Sequence, residues 1–237
     1  TAPWNYLGCQ IAQHKIRPQP LKPKVPDEMT LNDLQQLLGA INWLRPVLGI
    51  TTEELHPLFE LLKGDPALTS VSVLTKEAHH AIQKYSEAIG QKHSWRRHPE
   101  LPIQLALVAN KFKPFAVLFR DHLRLLEWLF LSHSPPKTVW RITEMHSKLI
   151  IKGRERLQPM DGCDPQTIYV PVTMDNLNLL VAEDVLFQTV LAGYTGQLSI
   201  HYPKHHLWAE NGNLPLTAAS RHQMQPVEGI TALTNAS

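Results

Sequence analysis

Apolar residues recur along this chain with two different periods. Leu31, Leu34, Leu37, Leu38, Ile41 and Leu44 fall on one side of a helical repeat, which predicts an amphipathic helix over 30–44. Thr30 is a good N-cap with Asp33 three residues on, and Pro46 is expected to end the helix. A second helix is predicted from Thr51, with Glu54 as its capping-box partner. Leu55, Leu58, Phe59 and Leu62 form its apolar stripe, and Gly64 supplies the stop. A third runs from about Leu74-Thr75 to Ile89, closed by Gly90. The pattern then shortens to strand-length apolar runs at 102–109, 115–119 and 125–131. Helical spacing returns from Thr138 to about Ile151, followed by a strand at 167–172, a helix around 173–192 and a strand at 197–202. Near the start, Tyr6-Leu7 and Gln10-Ile11 look extended, with Gly8 between them as an interruption or bulge. The order predicts an α/β protein (α+β overall), a small helical module followed by strands alternating with helices.

Composition adds boundaries to this pattern. The chain has 237 residues, 43% hydrophobic and 19% charged, which is globular rather than disordered composition. Pro18, Pro20, Pro23 and Pro26 crowd one short stretch, where missing N–H donors argue against helix or central strand. A stiff extended linker and a domain boundary are expected there. Residues 208–229 are polar and Pro-containing and are expected to be a second linker, with a cut-off strand after Gly229. Cys9 and Cys163 cannot build a disulfide framework and lack paired zinc spacing. No apolar run is long enough for a membrane span, and the start at Thr1 has no signal-peptide pattern. The expectation is an intracellular, non-secreted protein, and the two ends look like those of a piece of something longer. Charge is uneven: residues 76–160 hold 15 basic and 7 acidic side chains, an excess of +8. That excess suits a polyanion-facing surface, although solvated helices would account for it equally well.

Catalytic patterns are sparse. There is no Gly-rich phosphate loop, no nucleophile-elbow motif and no Asp-Asp pair. Glu53-Glu54 and Asp27-Glu28 stand at helix starts, where negative charge favours the dipole. Histidines cluster at His79-His80 and at His201, His205 and His206, but Pro203 breaks the second group, so surface histidines rather than a metal site are expected. The helix at 30–44 is more informative. Gln35, Gly39 and Trp43 are spaced four apart and share a face turned away from the leucine stripe. A glycine inside a helix costs about 1 kcal/mol relative to alanine, and an exposed tryptophan is unusual. A nucleic-acid groove approaching at Gly39 and packing on Trp43 fits these three residues. Trp43 buried in the helical core fits the spacing equally well.

At these residues the chain resembles a known family. The segment Thr30 to Pro46 is similar to the first thumb helix of retroviral reverse transcriptases, and Gly49 to Pro66 continues the likeness. The resemblance is to endogenous, betaretrovirus-like Pol proteins of the group K type. Tyr6-Leu7-Gly8-Cys9 looks like that family's primer-grip hairpin. Leu74 to Ala78, Glu127-Trp128, Ser132-His133-Ser134, Lys137-Thr138, Asp164-Pro165, 170–173 and His201 to Lys204 resemble the route into and through its connection domain.

The resemblance implies four parts: 1–26, end of the palm with primer-grip hairpin and linker; 27–90, helical thumb; 91–207, a non-catalytic, RNase H-like connection domain with a mixed sheet; 208–237, linker and truncated first strand of an RNase H domain. It implies that Tyr6, Leu7 and Gly8 help hold the primer end, and that Gln35, Gly39 and Trp43 track the minor groove of an RNA–DNA or DNA template–primer. The other implied partners are the rest of the Pol polyprotein and, in some family members, a dimer mate; no membrane is involved. The intact enzyme would use Mg²⁺, yet no cofactor or metal ligand is expected in this chain, nor catalysis by it alone. Asn235 stands where the family's first RNase H aspartate would be, a weaker ligand for Mg²⁺ than a carboxylate. The alternative expectation is a host-retained interaction or scaffold protein of endogenous retroviral origin with no nucleic-acid role.

Overall fold

Two residues with left-handed backbone turn the start of the chain back on itself. The computed structural model describes residues 2–19, 27–110, 113–132, 141–205 and 207–208. Within it β1 (Trp4–Tyr6) and β2 (Cys9–Ile11) pair antiparallel, with Tyr6 opposite Cys9. Leu7 and Gly8 form the connection with φ of 46° and 77°, the twist a two-residue hairpin requires. Gly8 is therefore a turn residue and not the bulge expected from its place between two extended runs.

β3 (Lys15–Pro18) pairs antiparallel with β2, and Pro18 is its last residue, contrary to the expectation that the proline cluster excludes a strand. The missing N–H is tolerated at a strand end, and Gln19 N–H supplies the next bond, to the Gly8 carbonyl at 2.8 Å. The rest of the expected linker, 20–26, lies outside the described residues.

β4 (Glu28–Thr30) leads into α1 (Leu31–Leu48). Its capping box is present as predicted: Asp33 N–H donates to Thr30 Oγ1 and Thr30 N–H to Asp33 Oδ2, both at 3.2 Å. Pro46 does not end the helix. It lies in the last turn, and the stop is Gly49, left-handed at φ 65°. Proline at 46 costs only one backbone bond, and the Arg45 side chain refastens the end. Its Nε–H donates to the Ile50 carbonyl at 2.8 Å and its Nη2–H to Thr52 Oγ1 at 2.9 Å.

α2 (Thr52–Glu60) carries the predicted Thr51–Glu54 box but stops before Gly64. β5 (Val71–Val73) pairs with β4, and α3 (Lys76–Gln91) starts from Thr75 and continues through Gly90. β6 (Ser94–Trp95) adds to β3, so the first sheet has the order β1-β2-β3-β6. Strands β3 to β6 are too short for their alternation to stand out in the sequence.

Residues 1–97 with 125–128 form one compact unit. Its core joins Leu34, Leu38, Ile41, Leu44 and Leu48 of α1 to Leu55 and Leu58 of α2 and to Ala78, Ile82, Tyr85 and Ile89 of α3. Each fully buried leucine contributes roughly 1.5–3 kcal/mol. Leu37 and Leu62 are only half-buried at its edge, and Cys9 packs the hairpin onto it.

The second unit takes 98–124 and the described residues from 129 on. β7 (Gln104–Val108) and β8 (Phe115–Arg120) are antiparallel with Leu105 opposite Leu118, and β9 (Arg124–Phe130) follows a single helical turn at Asp121–Leu123. α4 (Ile142–Asp161) outruns the prediction at its C-terminus, passing Pro159 to stop at Gly162; its predicted beginning at 138–140 lies outside the described residues. β10 (Thr167–Tyr169) runs parallel to β7 and to β11 (Gln197–Ser199).

The single helix expected around 173–192 is two, α5 (Met174–Glu183) and α6 (Val185–Val190). Asp184 splits them, because its carboxylate accepts the Phe187 N–H at 2.8 Å and so caps a new helix. The sheet order is β11-β10-β7-β8-β9, a mixed sheet. Gly153 lets α4 lie close: a Cβ there would come within 2.7 Å of Leu105. Arg154 clamps the same helix, donating from Nε and Nη2 to the two Asp164 oxygens at 2.8 Å each and from Nη1 to the Val190 carbonyl. Among the described residues no helix is long and apolar enough to cross a membrane. The second linker, from 209 on, and the strand after Gly229 lie outside the described residues.

Candidate nucleic-acid interface

The predicted site residues come from two elements, and the core of the first unit determines where each of them points. Burying Leu34, Leu38 and Ile41 turns the opposite side of α1 outward, so Gln35, Gly39 and Trp43 form one exposed row. Trp43 is 59% exposed, which rejects the alternative that it enters the core. Nothing lies within 4 Å of the position a Cβ would take at Gly39, so the row has an open notch at its centre.

The hairpin brings the other three residues to this row. The Trp43 indole N–H donates to the Leu7 carbonyl at 2.9 Å, tying the tip of the β1–β2 turn to the end of the α1 row. The Gly8 carbonyl is held by Gln19, so both carbonyls of the turn are engaged. Leu7 keeps a φ of 46° while 56% exposed, a backbone state that costs a non-glycine residue of order 1 kcal/mol or more. Tyr6 is 65% exposed beside it. Trp4, two residues before Tyr6 and therefore on the same face of β1, is also exposed; it is a member of this surface that periodicity did not single out. Its alternation with Tyr6 is the signal that could have found it.

Chemically the surface is aromatic, amide and glycine. Burial pushes the Cys9 thiol above its ordinary value, and the side chain packs against the helical core. Such a surface can stack, pack and donate hydrogen bonds.

No group of three or more His, Cys, Asp or Glu side chains comes together among the described residues. His201 is exposed, and His205 Nδ1 accepts the Leu207 N–H at 3.1 Å. His206 and Asn235 lie outside the described residues.

Two family models match the chain. Residues 18–83 match the reverse transcriptase thumb domain, and residues 111–208 match an ERVK-8-like, RNaseH-like domain. The chain is 37% identical over 200 residues to the Gag-Pro-Pol polyprotein of mouse mammary tumor virus (strain BR6), a match that takes in 84% of this chain and 11% of that protein. It is 34% identical over 201 residues to the Gag-Pro-Pol polyprotein of sheep pulmonary adenomatosis virus, with 85% of this chain and 12% of that protein aligned. With the Gag-Pro-Pol polyprotein of Mason-Pfizer monkey virus it shares 33% identity over 205 residues, 86% of this chain and 12% of the relative. The chain thus spans about an eighth or less of the length of these relatives. A thumb domain followed by an RNaseH-like domain, in a chain alike to Gag-Pro-Pol proteins along most of its length, makes it a member of the retroviral Pol (reverse transcriptase) family.

Proposed function

We propose that this chain holds the template–primer duplex of a retroviral RNA-directed DNA polymerase, binding it along α1 and the β1–β2 turn, and that it performs no chemistry by itself. The observation that carries this reading is the bond from the Trp43 indole to the Leu7 carbonyl at 2.9 Å. It joins a helix row and a hairpin tip, far apart in sequence, into one exposed surface. A duplex groove is long and shallow, and a row of Gln35, Gly39 and Trp43 with an open notch suits its sugar and base edges. The rest of Pol is the working partner in this reading, and Mg²⁺ belongs to the intact enzyme. The setting is the cytoplasm or a virus-like particle.

The test is fluorescence anisotropy of the purified chain with a labelled RNA–DNA hybrid at two salt concentrations. Binding that weakens as salt rises is expected. Trp43→Ala is expected to weaken it about tenfold, the size of one aromatic stacking interaction. Unchanged affinity in Trp43→Ala would remove α1 from the interface. Metal-dependent nucleotide incorporation by the chain alone would overturn its non-catalytic role. Absence of hybrid binding even at low salt, together with recovery of a host protein in a pull-down, would favour the scaffold alternative.

A further inference from the structure

We propose that the outer face of the β1-β2-β3-β6 sheet is a second nucleic-acid contact, in which Lys15 and Arg17 bind the phosphodiester backbone of a strand. Residues directly opposite each other in an antiparallel pair share a face. Arg17 lies opposite Gln10 and Gln10 opposite Asn5, while Lys15, two residues from Arg17, lies opposite Trp95. These five residues therefore line one side of the sheet. The other side carries Tyr6, Cys9, Ile11 and Ile16 and meets the helical core through Cys9. The outer face is thus built of two cations, two amides and one indole.

Its charge has one sign. Residues 2–19 and 92–98, which contain all four strands, include no Asp or Glu. The Lys15 ammonium stands 4.6 Å from the centre of the Trp95 ring, and the His93 ring meets the same indole edge-on at 5.6 Å. The imidazole senses the field: burial draws its pKa below the ordinary value, and Lys15 and Arg17 draw it further in the same direction. Arg17 is exposed and projects beside the exposed amides of Gln10 and Asn5, so phosphate oxygens can reach a cation and neutral donors together. Closely spaced phosphates are the complement of an acid-free face of this kind. Nucleic acid as the polyanion rests on the proposed function; the location does not, because this face is reached from the side of the sheet away from Cys9.

The experiment compares the unaltered chain, Lys15→Gln/Arg17→Gln and Trp43→Ala in the hybrid anisotropy assay across a salt series. The double variant is expected to flatten the plot of log affinity against log salt by about 2, one for each cation that no longer neutralises a phosphate. Trp43→Ala, which removes no charge, is expected to lower affinity at every salt with the slope kept. Far-UV circular dichroism checks that the double variant is folded, and an upward shift of the His93 titration followed by NMR confirms that both cations faced that ring. An unchanged slope in the folded double variant overturns the sheet contact and leaves the α1 surface standing. A flattened slope with Trp43→Ala binding like the unaltered chain supports the sheet contact and overturns the α1 surface. Failure of the unaltered chain to bind the hybrid overturns both.

Discussion

Gly39 sets helix stability against the use of the helix surface. It lies inside an exposed stretch of α1 with open space where a side chain would go. Gly39→Ala is therefore expected to raise the unfolding free energy by about 0.5–1 kcal/mol, seen as a higher midpoint in urea. The same methyl would fill the notch between Gln35 and Trp43, so affinity for the hybrid should fall while stability rises. A variant that is more stable and binds equally well would show that nothing approaches closely at this position. Spacing alone placed Gln35, Gly39 and Trp43 on one face, because four residues bring a helix back to nearly the same direction. It left the direction of Trp43 open. The bond to Leu7 joins residues 36 positions apart, and no local pattern encodes it.

Caps were legible at the scale of elements, and breaks were not. Thr30, Thr51 and Thr75 start three helices because a threonine oxygen needs only the N–H groups of its own first turn. Pro46, Gly90 and Pro18 misled because each is a local penalty that other interactions offset. Arg45 is the offset for Pro46. Burial draws its pKa down to about 10, partly opposed by Glu54, and it remains charged at neutral pH while holding the Ile50 carbonyl and Thr52. Arg45→Met is expected to cost about 2 kcal/mol in urea unfolding, the scale of hydrogen bonds from a charged donor. Arg45→Lys should recover only part of that loss, since one ammonium cannot reproduce the guanidinium fork. Full recovery by lysine would mean that charge alone, and not the fork, fastens the end of α1.

At the scale of the whole molecule, one pH effect on stability comes from a histidine that has no part in the proposed interfaces. His146 on α4 is buried, neither ring nitrogen has a hydrogen-bond partner, and burial lowers its pKa to about 4 from an ordinary 6.5. Above the unfolded value both states are neutral, and its effect on stability is flat. As pH falls toward 4 the unfolded chain takes up a proton that the folded one refuses, so stability drops through that window. The expected loss from this group between about pH 7 and pH 5 is about 2 kcal/mol. His146→Leu should remove that part of the acid limb, measured as the difference between urea unfolding curves of variant and unaltered chain. An identical pH dependence would show that the folded ring titrates normally.

The two-part order of the chain, a helical module and then an α/β unit, was readable from where the apolar period changes, and the resemblance supplied the family. Those features rest on interactions between near neighbours, which sequence spacing encodes directly. Tertiary structure alone decided that Trp43 faces outward to meet Leu7, and that Lys15, Arg17 and Trp95 share a sheet face. Each depends on which residues from distant segments come to lie opposite one another, and strand pairing and core burial settle that only once the chain has folded.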